Sequence, residues 1–450
     1  MDIADSVLDL IGNTPLVRLG RIGAGLSARV VAKLETTNPG GSVKDRAALG
    51  MLEAAERDGL IGPGSTIIEK TSGNTGIGLA IVSALRGYRC VFVMTEKAAP
   101  EKVALLRAYG SEVIVCPVGL PDDDPRSTTA VTNRLLAEIP RSFRPDQYEN
   151  PANPAYHERT TGPEIWRQTD GTVTHFVATA GTGGTIVGTG RFLKKMNPGV
   201  QVIVADPEGS VYSGGAGRPY LVEGAGEDFW PGNYDPSIVD RVIAVSDRDS
   251  FATARRVAQE EGLLIGGSCG TAVWAALEVA RSAARDDLVV TLIPDSGRGY
   301  LSKIFNEAWM AEYGFSVSDG TTVGDIASAG LPAIAPTMTV GAAIAALDDS
   351  GQLVAPVIKG QPPYSAVEVI GSVDGEALAK LVAADPNLSE AAVATVMDSR
   401  LPRVGIGESL TRADELLGSA PAALVHDGGR PVAMITGADL IFHSESSGRS

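Results

Sequence analysis

The sequence predicts an α/β protein with two parallel sheets, followed by a smaller tandem α+β module. Three observations predict it. Short, almost continuous apolar runs alternate with helical stretches from residue 30 to residue 294. Glycine-rich turns stand where several of those runs give way to helices. After residue 322, two stretches of similar wording follow one another.

The apolar runs, taken in order, are VVAKLE (30–35), TIIEK (66–70), CVFVMT (90–95), EVIVC (112–116), THFVATA (174–180), VQVIVAD (200–206), RVIAV (241–245) and LVVTLIP (288–294). Helical patterns fall between several of them, at Asp45–Arg57, Ile77–Leu85, Thr185–Lys195 and Thr253–Glu261. Apolar strands separated by helices predict parallel sheets covered on both faces. Two such sheets leave a cleft, the usual seat of a ligand in an open α/β fold.

Composition narrows the function classes. The formal net charge of −16 speaks against nucleic-acid or anionic-membrane partners, which reward clustered Lys and Arg. Three cysteines (Cys90, Cys116 and Cys269) make no disulfide framework, so a reducing, cytoplasmic setting is expected. The opening MDIADSVLDLIGNTP is acidic and unlike a signal peptide, and no run reaches the ~20 apolar residues of a membrane span. No metal-ligand cluster is expected.

Four phrases can carry chemistry. In NPGGSVKDRAALGMLEAAERDG, Ser42 is placed to cap a helix whose first turn holds Lys44. Burial at a helix N-terminus lowers a lysine pKa, which suits covalent chemistry; a solvated lysine on an amphipathic helix reads the same way locally. In EKTSGNTGIGLAIVSAL, Thr71, Ser72, Asn74 and Thr75 surround a strand-to-helix turn able to bind a carboxylate. GTGGT, Gly181 to Thr185, makes a second such turn; it lacks the Lys-Ser/Thr ending of a nucleotide loop and the GxGxxG spacing of a dinucleotide loop, which leaves a lone phosphate. In GLLIGGSCGTAVW, Ser268 is a helix cap or a ligand, and Cys269 reads as a small buried thiol.

Together these phrases, with IGNTPLVRL near the start, resemble the fold-type II pyridoxal-phosphate (PLP) enzymes of the cysteine synthase/cystathionine β-synthase family over residues 7–313. The resemblance implies that Lys44 carries PLP, that Asn74 bonds the cofactor hydroxyl, and that Thr71, Ser72 and Thr75 hold the substrate carboxylate. It further implies that Gly181, Thr182, Gly183, Gly184 and Thr185 take the phosphate, and that Ser268 meets the pyridine nitrogen. YLVEGAGEDFWP (220–231) and LIPDSGRGYLSKIFNEAWM (292–310) resemble the cystathionine-forming branch. On that likeness Gly224 and Gly226 border the site for an incoming thiol, with Tyr156 near the substrate. EGAGEDF is also what a flexible acidic loop looks like. Departures fall at Lys70, at Thr95-Glu96 and at Ala178-Thr179-Ala180, and they bear on the nucleophile more than on the cofactor. With ten residues preceding Ile11, neither the animal enzymes' haem-binding extension nor haem is expected.

The implied reaction is β-replacement, joining L-serine or an O-activated serine to homocysteine to give cystathionine. The alternatives are a cysteine synthase working on O-acetylserine or O-phosphoserine with sulfide, a related replacement with another nucleophile, serine or threonine dehydration, and a retired PLP fold acting as an adenosyl-ligand sensor. The expected layout is a catalytic domain over residues 1–313 with a smaller subdomain over about 42–145, a linker at 314–322, the paired repeats over 323–442 and a disordered tail at 443–450. The repeats begin at Val323 and Val393 and resemble the paired regulatory (CBS) domains of the same family. Thr436 and Asp439 are expected to hold the ribose of S-adenosylmethionine or AMP, whereas Asp374 and Ala377 occupy those places in the first repeat and predict a disabled site. A homodimer or higher homo-oligomer is expected.

Overall fold

The computed structural model describes residues 3–447 apart from 72, 97, 99, 118, 119, 121 and 122. Contacts divide the chain into two units, one of residues 1–217 and 222–301, the other of 218–221 and 302–450.

The strands of the first unit are β1 (Leu16–Arg18), β2 (Arg29–Leu34), β3 (Thr66–Lys70), β4 (Arg89–Thr95), β5 (Glu112–Cys116), β6 (Ser142–Phe143), β7 (His175–Thr179), β8 (Gln201–Pro207), β9 (Arg241–Val245) and β10 (Leu288–Ile293). They form a six-stranded sheet, ordered β1-β2-β10-β7-β8-β9, and a four-stranded sheet, ordered β5-β4-β3-β6. The smaller sheet is parallel throughout; in the larger, only the β1–β2 pair is antiparallel. β10, the last strand, inserts between β2 and β7 and so lies at the middle of the larger sheet. Its side chains are all buried, as are those of β8 apart from its first residue, which is why these runs read as unbroken apolar sequence.

Each sheet has its own core. Ile67, Phe92 and Met94 of the small sheet pack with Leu52, Leu79 and Ile81 of the helices Lys44–Arg57 and Asn74–Arg86. Phe176, Val202, Val204 and Val290 of the large sheet pack with Ile186, Val187 and Leu193 of helix Gly184–Met196. Both cores are built almost wholly from aliphatic residues, in keeping with an aromatic fraction of 5%.

The second unit repeats one local plan. A short 3-10 turn, a helix, two strands and a closing helix occur as Val323–Asp325, Val340–Ser350, Val354–Ile358, Val369–Asp374 and Gly375–Ala384. They recur as Val393–Thr395, Leu410–Leu417, Ala423–Asp427, Arg430–Ile435 and Gly437–Ser447. The halves exchange their leading segments. Ser328 and Ala329 pair with Met434 and Ala433 of the second half, while Asp398 bridges to Ser372 of the first.

Two expected boundaries move. The first unit ends at Leu301, not at 313, because helix Glu307–Glu312 packs on strand Arg403–Gly405 of the second unit. The segment read as a linker is docked at its start: Trp309 stacks on Tyr313 at 4.5 Å and on Phe315 at 6.0 Å, and the Ser318 amide donates to the Gly407 carbonyl. The expected tail from 443 is helical as far as Ser447, since helix Gly437–Ser447 runs through it; residues 448–450 lie outside the described residues. Among the described residues no helix is long and apolar enough to cross a membrane, and no group of three His, Cys, Asp or Glu could hold a metal ion.

Candidate active site

Lys44 is the first residue of its helix. The backbone before it is fixed to the end of β10: the Val43 amide donates to the Pro294 carbonyl at 2.8 Å, and Ser42 bridges to Asp295. The expected cap is displaced by one residue. Val43 holds the N-cap position without a side-chain bond, while the Ser42 hydroxyl accepts from the Lys44 amide at 3.2 Å. Gly41, with φ +78°, makes the turn that a side chain would strain. Burial lowers the Lys44 pKa, and the carboxylates of Glu227 and Asp295 partly restore it.

The TSGNTG turn joins β3 to helix Asn74–Arg86 through Gly73, whose φ of +150° and ψ of −77° suit only glycine. Thr71 braces the turn, its hydroxyl accepting from the Gly73 and Gly76 amides at 3.1 and 3.3 Å. Thr75 donates to Gln147 Oε1, and Asn74 Nδ2 donates to Asp295 Oδ2 at 2.9 Å. Ser72 lies outside the described residues.

The GTGGT turn follows β7, and Gly183 caps helix Gly184–Met196 in the left-handed conformation, φ +80°. A Cβ there would stand 2.8 Å from the Tyr234 Cα, and one at Gly184 would meet the Asn153 amide. Asn153 donates to the Thr182 hydroxyl at 3.1 Å, and Thr185 pairs with His157 Nε2 at 3.3 Å. His157 is buried and its pKa is held well below the usual value, chiefly by desolvation, so its ring is neutral.

Ser268 is buried at the second position of helix Gly267–Ser282. Gly266 takes the cap, so capping does not explain the serine. Gly224 (φ +84°) faces it: a Cβ on Gly224 would lie 3.8 Å from the Ser268 hydroxyl. The Gly226 amide donates to the Ala180 carbonyl at 2.7 Å and ties this loop to the GTGGT strand. One cavity is lined by Val43, Lys44, Thr179, Gly181, Thr182, Gly183, Thr185, Gly224, Leu292 and Pro294.

Tyr156 is a correction. Its ring packs in the core of the small sheet against Gly50, where a Cβ would stand about 2.5 Å from the ring, and Arg159 covers it at 4.3 Å. It therefore serves packing of the Lys44 helix and does not line the cavity.

The sequence reading missed Asp295, Gln147 and Glu227. Asp295 is buried, its pKa raised by desolvation, and it accepts from Tyr300 at 2.7 Å as well as from Asn74. Cys269 donates to the Asp295 carbonyl at 3.2 Å, and burial pushes its thiol well up, so it stays protonated.

In the second unit, the Asp439 carboxylate accepts from both the amide and the hydroxyl of Thr436, at 2.8 and 2.7 Å, closing the first turn of the last helix. The first half, expected to be disabled, carries a cavity of about 320 Å³ lined by Val373, Asp374, Ala377, Leu378, Lys380, Leu381, Val396 and Asp398.

A lysine with a depressed pKa, a glycine cradle at a helix N-terminus and a buried serine hydroxyl facing a glycine fit a phosphorylated pyridine aldehyde. The comparisons agree. The chain belongs to the pyridoxal-phosphate dependent enzymes, whose family model matches residues 7–295. It is an enzyme, and PLP is its cofactor.

Within that family it is similar to cystathionine beta-synthase of Rattus norvegicus, at 42% identity over 398 residues, covering 84% of this chain and 70% of the rat protein. Among solved structures, it is 38% identical to an O-ureido-L-serine synthase, with a TM-score of 0.64, over 71% of this chain and 98% of that one. It is also 38% identical to the O-acetylserine dependent cystathionine beta-synthase of Helicobacter pylori, with a TM-score of 0.63, over 67% of this chain and 99% of that one.

Proposed function

We propose that this enzyme catalyses β-replacement, condensing L-serine, or an O-activated serine, with homocysteine to give cystathionine. The observation that carries the reading is the cavity wall itself. Lys44, the GTGGT loop and Gly224 line one cavity, which brings the loop read as the thiol side next to the lysine.

Bound PLP would supply the electron sink that makes the Cα proton of an amino acid acidic. The chain's own residues do the rest. Lys44, neutral in part because burial lowers its pKa, takes that proton and later returns it. Gly181 to Thr185 would hold the phosphate at the start of helix Gly184–Met196. Asn74 would turn one amide hydrogen to the cofactor hydroxyl while Asp295 fixes the side chain. Thr71, Ser72 and Thr75 would take the substrate carboxylate, with Gln147 orienting Thr75. Ser268 offers the ring nitrogen a hydroxyl and no carboxylate, and so fixes no proton there.

The runner-up, a cysteine synthase using sulfide with O-acetylserine or O-phosphoserine, uses the same residues. The same proposal covers a cytoplasmic homo-oligomer in which residues 323–442 are a paired regulatory module for S-adenosylmethionine or AMP; the repeated plan with exchanged strands supports that module. The test is to incubate the purified protein with serine, O-acetylserine or O-phosphoserine, each with homocysteine or sulfide, and identify products by mass. Cystathionine from serine and homocysteine is expected; cysteine as the main product would favour the runner-up.

A further inference from the structure

A second proton-bearing group shares the site with Lys44. Glu227 lies in the loop beyond Gly226, and its backbone is pinned on both sides: its amide donates to the Ser210 hydroxyl at 3.1 Å, and its carbonyl accepts from the Val211 amide at 3.0 Å. Its side chain turns toward the GTGGT turn, where Oε1 lies 3.6 Å from the position of a Cβ on Gly181, a residue lining the Lys44 cavity. Tyr148 hydrogen-bonds the carboxyl, and the charges of Lys44, Lys70 and Asp228 act on it, with Tyr212 also facing it. Burial pushes its pKa up to about 7, against the pull of Lys44, while burial brings the Lys44 pKa down. The two groups thus approach one another in proton affinity, as an acid and base that trade protons near neutrality must.

β-Replacement on serine moves more protons than one lysine handles conveniently. The Cα proton must be taken, the departing oxygen must receive one, and the thiol must lose one. We propose that Glu227 is the acid–base group for the β-substituent, giving a proton to the departing oxygen of serine and taking one from the incoming thiol. This rests on the β-replacement reading above. In the first half, Lys44 takes the Cα proton, the Cβ–O bond breaks with its electron pair on oxygen, and Glu227 protonates that oxygen so that water leaves. In the second, the thiol S–H gives its proton to the Glu227 carboxylate as the Cβ–S bond forms, and Lys44 returns a proton to Cα. Serine plus thiol gives thioether plus water, and both groups end as they began.

The test compares donors on the holoenzyme. Acetate leaves without a proton, whereas hydroxide does not. Glu227→Gln should therefore lose ~100-fold or more of its turnover with serine and homocysteine, the usual size of a general-acid contribution. With O-acetylserine and homocysteine its loss should be smaller, ~10-fold or less, because only the thiol's proton then depends on Glu227. The fall in serine turnover as pH rises through about 7 should vanish in the variant. A protonated-carboxyl infrared band titrating near that pH in the wild-type holoenzyme should be missing from it, a readout independent of turnover. Should the glutamine variant lose PLP, Tyr148→Phe serves instead: without that hydrogen bond the carboxyl pKa rises, and the serine limb should move to higher pH. An unmoved limb, or equal losses with both donors, overturns the proposal. So does a wild-type enzyme that accepts only O-acetylserine, which leaves β-replacement standing. A PLP-loaded wild type that makes product from neither donor overturns the β-replacement reading itself.

Discussion

Arg46 donates two hydrogen bonds of 2.7 Å to Glu164, one to each carboxylate oxygen, two residues beyond Lys44. The same guanidinium reaches Glu35 at 2.7 and 2.9 Å, and Lys33 adds a second cation on Glu164 at 2.7 Å. All four side chains are buried. Both carboxylates come from outside helix Lys44–Arg57, so this buried network anchors the reactive lysine's helix to the rest of the unit.

Arg46→Met is expected to cost about 3–5 kcal/mol, because it leaves Glu35 buried without a cation and Glu164 with Lys33 alone. Urea unfolding of the first unit checks it. Arg46→Lys should rescue little of that, since an ammonium cannot make the forked contacts. A midpoint unchanged within error in Arg46→Met would mean that the network is dispensable.

Ser268→Asp should retain PLP yet cut β-replacement by more than ~10-fold, because a carboxylate at the ring nitrogen fixes a proton there. Steady-state turnover beside the absorbance of bound PLP is the measurement. Equal turnover would mean that Ser268 only fills the second position of its helix.

His426 gives the second unit an acid-side weakness. It is buried, Nδ1 faces the Leu424 carbonyl at 3.1 Å, and desolvation lowers its pKa to about 4. An unfolded histidine titrates near 6.5, so between those values the unfolded chain binds the extra proton. Stability is therefore full above about 6.5 and falls as pH drops toward 4, by at most about 3 kcal/mol. Melting of the second unit across that window should show the loss in wild type and a flatter profile in His426→Gln.

For the terminal module, calorimetry with S-adenosylmethionine and with AMP on the intact enzyme should show binding, weakened at least ~10-fold in Asp439→Ala through loss of the ribose acceptor. Asp374→Ala serves as the comparison, because the visible cavity lies in that half. Loss confined to Asp374→Ala would move the ligand to the first half. No heat with either ligand would make the module structural.

Much of this site is local and so was legible. A glycine turn before a helix declares an anion cradle from its own letters, and each apolar run from VVAKLE to LVVTLIP became a strand within a residue or so of its expected limits. The edge strands Leu16–Arg18 and Ser142–Phe143 were missed; at three and two residues they are too short to show a period. What sequence could not supply is partnership at a distance. Asn74 and Asp295 are 221 residues apart, and Thr75 and Gln147 are 72 apart. Tyr156 shows the reverse error: its place in NPAYHE suggested the substrate, yet Gly50 on another helix leaves the space that its ring fills. The boundary near 301 failed for a similar reason, since Glu312 and Tyr313 find their partner in Arg403, 91 and 90 residues away.

The account stands on Lys44 as the residue that holds PLP, and reduction of the holoprotein tests that most directly. Borohydride added to the yellow protein, followed by proteolysis and mass mapping, should place the pyridoxyl group on Lys44. A label on Lys33, whose ammonium is committed to Glu164, or on Lys70, which lies on the other side of the TSGNTG turn, would contradict it.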